Sequence, residues 1–457
     1  MRLALTVFPI AIIAFGAVTA GEVRAVSSDA APAAISDGSS SGSIRYDTEY
    51  PTIGYADTPT HNAIARLQGQ LNRGEVHLKF QPSTGYLASV LSALGIDAGS
   101  QTLVYSKTSL QFTLIKSATP RAIYFNDNTY VAWIPGTAFL EIATMDGVVG
   151  PVFYTLSNVS PTEIRISRES SRCLTCHDTW GMTGGGVPRF LFLSTFVDRN
   201  GESLTGEPGT DTTDRTPIQD RWAGWYVTGK PTGQAHLGNI LVDSDVDSTR
   251  ARNLGPGTVD NVATFFDSSA YLTDKSDVVA LLVFEHQANI GNLITRANYK
   301  SRTLLTRNGF DASRASLWSA VPEPLRKQMK AMLEPVVQAM LFAGAAPVGS
   351  DIRSGSGFDR WFESQGPRDA SGRSLRELDL HTRVFKHPLS YLVYSESFDG
   401  LPGCARDYIY GRFAEILTGK DDGPAYAHIS ADERHALRDI LLATKPDFAL
   451  VYQRRDH

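Results

Sequence analysis

The chain has 457 residues, 42% of them apolar and 20% charged, which is enough to bury a large core and excludes a natively disordered chain. A formal net charge of −5, with no cluster of Lys and Arg able to track a phosphate backbone, argues against nucleic acid as a partner. Three cysteines in this length exclude a disulfide scaffold.

Leu3 to Val18 is an almost purely apolar run of roughly 16 residues behind Arg2, short for a membrane span, which needs about 20. Val18 and Ala20 stand where an A-x-A-like cleavage site places its small residues, and Val23 and Ala25 offer a second cut. Residues 1–20 (or 1–25) therefore read as a secretory signal peptide, which makes the protein exported, periplasmic or otherwise extracytoplasmic; an uncleaved N-terminal anchor is the alternative. No later segment is long and apolar enough for a transmembrane helix, so none is expected in the mature chain. Residues 21–45, rich in Ser, Ala, Gly and Asp, read as a flexible N-terminus.

Structure is expected from residue 46. Short amphipathic helices are predicted over 61–73 and 86–94. A strand-rich N-terminal region, 46–165, carries TLVYS (102–106), LQFTLI (110–115), AIYF (122–125), YVAWI (130–134), AFLEIAT (138–144) and PVFYTL (151–156), with a turn at FNDN (125–128). In the central region, 166–305, a cysteine motif is followed by FLFLSTFV (190–197), which reads as a buried strand ending in an Asn-Gly turn. A long helix closes this region at about 277–305. The C-terminal region, 306–457, reads as helical, with one or two helices within 313–343 and others at 388–398, 404–418 and 431–443, and with loops at 349–357 and 364–374. The fold class is α+β: a strand-rich first half and a helical second half packed around the central motif.

That motif is SRCLTCHD, in which Cys173 and Cys176 are three apart and His177 follows directly. It is the spacing of covalent haem c attachment: each sulfur adds to one vinyl group of the porphyrin and the adjacent imidazole ligates iron. Random placement would produce it in roughly 4 of 10,000 such chains. A thioredoxin-like pair would open a long helix, which Gly184, Gly185, Gly186 and Pro188 oppose; a zinc site would need a second ligand pair, and Cys404 stands alone, as a buried thiol would. One covalent haem c is therefore expected, with His177 as proximal ligand, and 166–305 becomes the haem c region.

For the distal side of iron, Met182 lies too close to His177 to cross the ring. The candidates are His236, in the glycine-flanked GQAHLGN, and His286, on a stripe of the long helix with Val279, Leu282, Val283, Ile290 and Ile294. Glu285, Asn289, Asn292 and Arg296 fall on the opposite side, so His286 faces inward. For each of the two, the alternative is a histidine hydrogen-bonded within the protein. Arg172 and Arg189 bracket the motif as possible partners for haem propionates, or as ordinary solvated charges. Asp214 and Arg215 are near the motif in sequence only.

KTSLQF (107–112), PRAIYFND (120–127), TPIQDRWAGWYVTG (216–229) and SYLVYSESFDGLP (390–402), together with the single CxxCH, resemble segments of large exported bacterial cytochrome c domain-containing proteins. The resemblance spans most of residues 50–445. It implies haem on Cys173, Cys176 and His177 and implies neither a distal ligand nor a substrate. Three functions follow as expectations: electron transfer with redox partner proteins through haem iron held by two imidazoles; a haem enzyme of peroxidase or oxidase type with an exchangeable distal position; or a haem-based ligand-binding or sensor module.

Overall fold

The computed structural model describes residues 47–179, 186–204, 209–230, 233–243, 251–252, 255–349 and 351–455; the expected signal peptide, the residues up to 46 and Met182 lie outside them. Two short helices come first. Asn62 caps α1 (Ala63–Asn72) by accepting the Ala65 N–H, and α2 (Leu87–Leu94) stops at Gly95, whose φ of 65° suits a residue without Cβ.

Alternating β-branched and aromatic residues then build an antiparallel meander: β1 (Thr102–Val104), β2 (Arg121–Phe125), β3 (Thr129–Trp133), β4 (Phe139–Asp146), β5 (Gly150–Ser157) and β6 (Ile166–Arg168). The turn expected at FNDN joins β2 to β3, with the Asn126 side chain accepting the N–H groups of Asn128 and Thr129. Because side chains alternate along each strand, Ala122, Tyr124, Val131, Ile142 and Val152 pack on one face with residues of α1 and α2. Ile123, Phe125, Tyr130, Met145 and Phe153 face the helical half.

After β6 comes the single turn α3 (Leu174–His177), then a two-stranded ribbon, β7 (Leu193–Ser194) with β8 (Thr210–Asp211). The chain then joins the opposite edge of the sheet as β9 (Trp225–Tyr226), pairing with β1 in the seven-stranded order β6-β5-β4-β3-β2-β1-β9. The cysteine motif thus lies on the connection from one sheet edge to the other. Phe190, Phe192 and Trp222 of that connection join the core on the helical side.

Helix α4 (Val278–Arg307) runs through this core, capped by Asp277, which accepts the N–H groups of Val279 and Ala280. It is followed by α5 (Glu323–Met340), α6 (Phe358–Ser364), α7 (Glu396–Asp399), α8 (Gly403–Leu417), α9 (Ala431–Thr444, with a Ser430/Glu433 capping box) and α10 (Pro446–Arg455). Ten helices and a seven-stranded antiparallel sheet among the described residues make the fold α+β, and Arg45–His457 form one compact unit. No helix among the described residues is long and apolar enough to cross a membrane.

Several expectations change. LQFTLI is not a strand but a turn, with a 3-10 helix at Phe112–Leu114 and Phe112 half exposed. Gln111 is responsible, because its amide bonds the Phe139 carbonyl and the Thr137 hydroxyl and so ties the segment to a loop rather than a ladder. FLFLSTFV forms a strand only at β7 and an isolated bridge from Val197 to Ser203, and the turn at Asn200–Gly201 is present, Gly201 having φ 81°. The helix expected at 388–398 splits into a 3-10 helix, Tyr391–Tyr394, and α7, because Ser395 accepts the Phe398 N–H and starts a new helix. α6 and α10 were not anticipated. The side of α4 expected to be polar is partly core: Glu285 is wholly buried.

Candidate functional site

The motif occupies one helical turn. Cys176 N–H and His177 N–H both donate to the Cys173 carbonyl, at 3.2 and 3.0 Å, and Asp178 N–H to that of Leu174 at 2.9 Å. Residues 173, 176 and 177 are thereby i, i+3 and i+4 and share a face. The turn ends at Asp178, whose φ of −142° is not helical. Cys173 packs partly against the core, Cys176 is exposed, and both are free thiols. Burial, followed by the nearby Glu169 and Glu141 carboxylates, pushes the Cys173 thiol up to about 12. A redox-active thiol needs the opposite shift, so this environment argues against a redox pair.

His177 is held from two directions. Its Nδ1–H donates to the Arg189 carbonyl at 2.7 Å, and Arg189 N–H returns a bond to the His177 carbonyl at 3.1 Å. Its ring lies 4.4 Å from that of Phe153 on β5. Burial lowers its basicity, which favours neutral imidazole. With the proton on Nδ1, the lone pair is on Nε2, which has no hydrogen-bond partner among the described residues. A carbonyl behind Nδ1 is the arrangement that orients a metal-ligating histidine.

Beneath the motif the sheet carries a charged pair that sequence reading missed: Arg121 on β2 and Glu141 on β4, 3.4 Å apart, with Glu141 also accepting the Ser109 hydroxyl at 2.7 Å. Both act electrostatically on His177, and Arg121 Nε is buried with no partner among the described residues. The signal was the strand alternation, since 121, 123 and 125 share one face and that face turns inward. Of the two arginines singled out from sequence, Arg172 is exposed and chelated by Glu169 at 2.7 and 2.9 Å. Arg189 pairs with Asp211 and keeps a buried, unpartnered Nε among the described residues. Asp178, next to the motif, is pushed up to about 6 by burial, against the backbone N–H groups of Gly186 and Val187.

The two distal candidates lie elsewhere, and both have their nitrogens engaged. His236 is buried, accepts Gly238 N–H at Nδ1 (3.0 Å) and meets the Thr258 hydroxyl at Nε2 (3.1 Å). His286 faces inward as expected and is fully buried, with Nδ1 against Asp214 at 3.0 Å and Nε2 against the Ser390 hydroxyl at 2.8 Å. As positioned, neither offers a free nitrogen to iron, so the hydrogen-bonded alternative describes both. Cys404 is buried, as expected of a small apolar side chain, and no group of three His, Cys, Asp or Glu able to hold a metal ion occurs among the described residues.

A haem would take its two thioethers and proximal nitrogen from one turn, and the donor set here fits that demand: two free thiols and an imidazole with its second nitrogen engaged. Beside Arg189 a cleft of about 110 Å³ reaches Phe192, Asp211 and Asn292 of α4, and none of Cys173, Cys176 and His177 lines it. No protein-family model, no curated protein and no solved structure matches the chain.

Proposed function

We propose that the protein is an exported c-type cytochrome that carries one haem on Cys173 and Cys176, with His177 as proximal iron ligand, and exchanges electrons with redox partner proteins. The observation that carries this reading is the engaged Nδ1 of His177, 2.7 Å from the Arg189 carbonyl, beside two free thiols on the same turn. When bound, haem supplies reversible one-electron chemistry. The residues of the chain hold the imidazole in one tautomer, and Phe153 restricts its rotation. Arg189 and Arg121 each pair with one carboxylate, Asp211 and Glu141, and keep an unpartnered Nε among the described residues, whereas Glu169 engages both Nε and a terminal nitrogen of Arg172; the first two therefore have a donor left for propionates.

The test is a coloured protein whose pigment survives acidified acetone and yields a haem c pyridine spectrum. Cys173→Ser or Cys176→Ser should leave at most one thioether, and His177→Ala should abolish the low-spin spectrum. Colourless exported protein would overturn the reading.

The engaged nitrogens of His236 and His286 favour a second reading, in which the sixth iron position stays exchangeable and the protein is a haem enzyme of peroxidase or oxidase type, or a ligand sensor. A reduced spectrum that shifts with carbon monoxide supports it. A spectrum indifferent to carbon monoxide supports the electron carrier.

A further inference from the structure

Away from the motif, a cleft of about 800 Å³ opens between loop 342–348, segment 382–388 and the turn at 424–433. This is within the span of about 300–1,000 Å³ usual for organic ligands. Ile218, Leu282, Val348 and Pro388 contribute apolar wall, and Phe342 and Phe385 contribute rings.

Two ion pairs border it. Arg383 pairs with Glu433 at the rim, and Arg221 pairs with the buried Glu285 at 3.0 Å. Asp214 remains. It lines the cleft with its side chain only 12% exposed, and its partners are His286 Nδ1 at 3.0 Å and Asn289 at 3.5 Å. The His286 network is satisfied by the neutral tautomer. Nδ1–H donates to Asp214, while Nε2 accepts from Ser390 Oγ, which itself accepts Leu392 N–H and so has its proton free to give. With the Arg221–Glu285 and Arg383–Glu433 pairs closed on themselves, Asp214 is left with an imidazole and an amide as side-chain partners and no guanidinium or ammonium group among the described residues. Asp214, His286 and Ser390 have the atoms of a nucleophile relay, yet Ser390 has no exposed surface and does not line the cleft. The relay positions the carboxylate instead.

We propose that this cleft binds an organic ammonium ion, its positive nitrogen against Asp214 and its apolar body between Phe342, Phe385 and the aliphatic wall. Carboxylate plus aromatic ring is the pairing that recognises such cations. Phe342 has one ring face committed, stacking on His286 at 4.8 Å and 19°, and holds a left-handed φ of 56° to do so.

The test is calorimetric titration of the full chain with phenyltrimethylammonium, which has no lone pair to offer iron, against neutral 2-phenyl-2-propanol and anionic benzoate. The cation should bind at least tenfold tighter than either. Asp214→Asn should weaken it at least tenfold, and Ala425→Trp, at the exposed rim, should block it with an unchanged melting temperature. The site is overturned if the alcohol or benzoate binds as well as the cation, if the cation does not bind, or if Ala425→Trp leaves its affinity intact. Because the probe cannot ligate iron, none of these outcomes depends on the haem reading.

Discussion

Two histidines in this molecule sit in opposite surroundings. His286, in the third turn of α4, has a carboxylate on one nitrogen and a hydroxyl on the other, is stacked on Phe342, and lies one residue from the buried Glu285–Arg221 pair. His177, on a turn of four residues, has one nitrogen fixed by a carbonyl and the other without a partner among the described residues. Both nitrogens of His286 are matched within the protein, whereas His177 keeps one nitrogen for a further ligand. The core around α4 should therefore govern stability, and the turn should govern chemistry.

The largest stability effect should come from the α4 side. Removing one member of the Arg221–Glu285 pair, as in Glu285→Ala, leaves a buried guanidinium unmatched and should cost about 3–5 kcal/mol in urea unfolding. A loss under about 1 kcal/mol would mean that this core is open to water.

The pH dependence of His236 comes next. Burial lowers its pKa from the ordinary 6.5 to about 4. Its contribution is complete above the unfolded value, because the folded state holds it neutral, and it is lost as pH falls from 6.5 toward 4. Two and a half units correspond to about 3 kcal/mol at most. Denaturation at a series of pH values should show this decline, and His236→Gln should flatten it.

His286→Leu should cost about 1–3 kcal/mol by leaving Asp214 and Ser390 without their partner. It should leave the visible spectrum unaltered. A spectrum that changes would return His286 to the list of iron ligands.

The motif should behave in the reverse way. Cys176→Ser, at an exposed position, should change stability by no more than about 0.5 kcal/mol while abolishing the doubly attached pigment. Arg172→Gln, which breaks only the half-exposed Glu169 pair, should be worth about 0.5 kcal/mol or less and leave pigment content alone.

Much of the fold can be read along the chain. Alternation in AIYF, YVAWI, AFLEIAT and PVFYTL marks β2 to β5, and helical periodicity marks α4 within two residues at each end. The misread segments share a cause. LQFTLI has the composition of a strand and is diverted by Gln111 bonding to Thr137 and Phe139, and the 388–398 helix is cut by the Ser395 cap. In both, a side-chain hydrogen bond overrides propensity.

For the site, the local part is written in the spacing: two residues between Cys173 and Cys176 and His177 directly after put the donors on one turn, because a helix brings i, i+3 and i+4 together. What each histidine does with its nitrogens is not local. Asp214 and Ser390 stand 72 and 104 positions from His286, and Thr258 stands 22 from His236. Only tertiary packing brings such partners within about 3 Å, and a hydrogen bond exists at that distance or not at all.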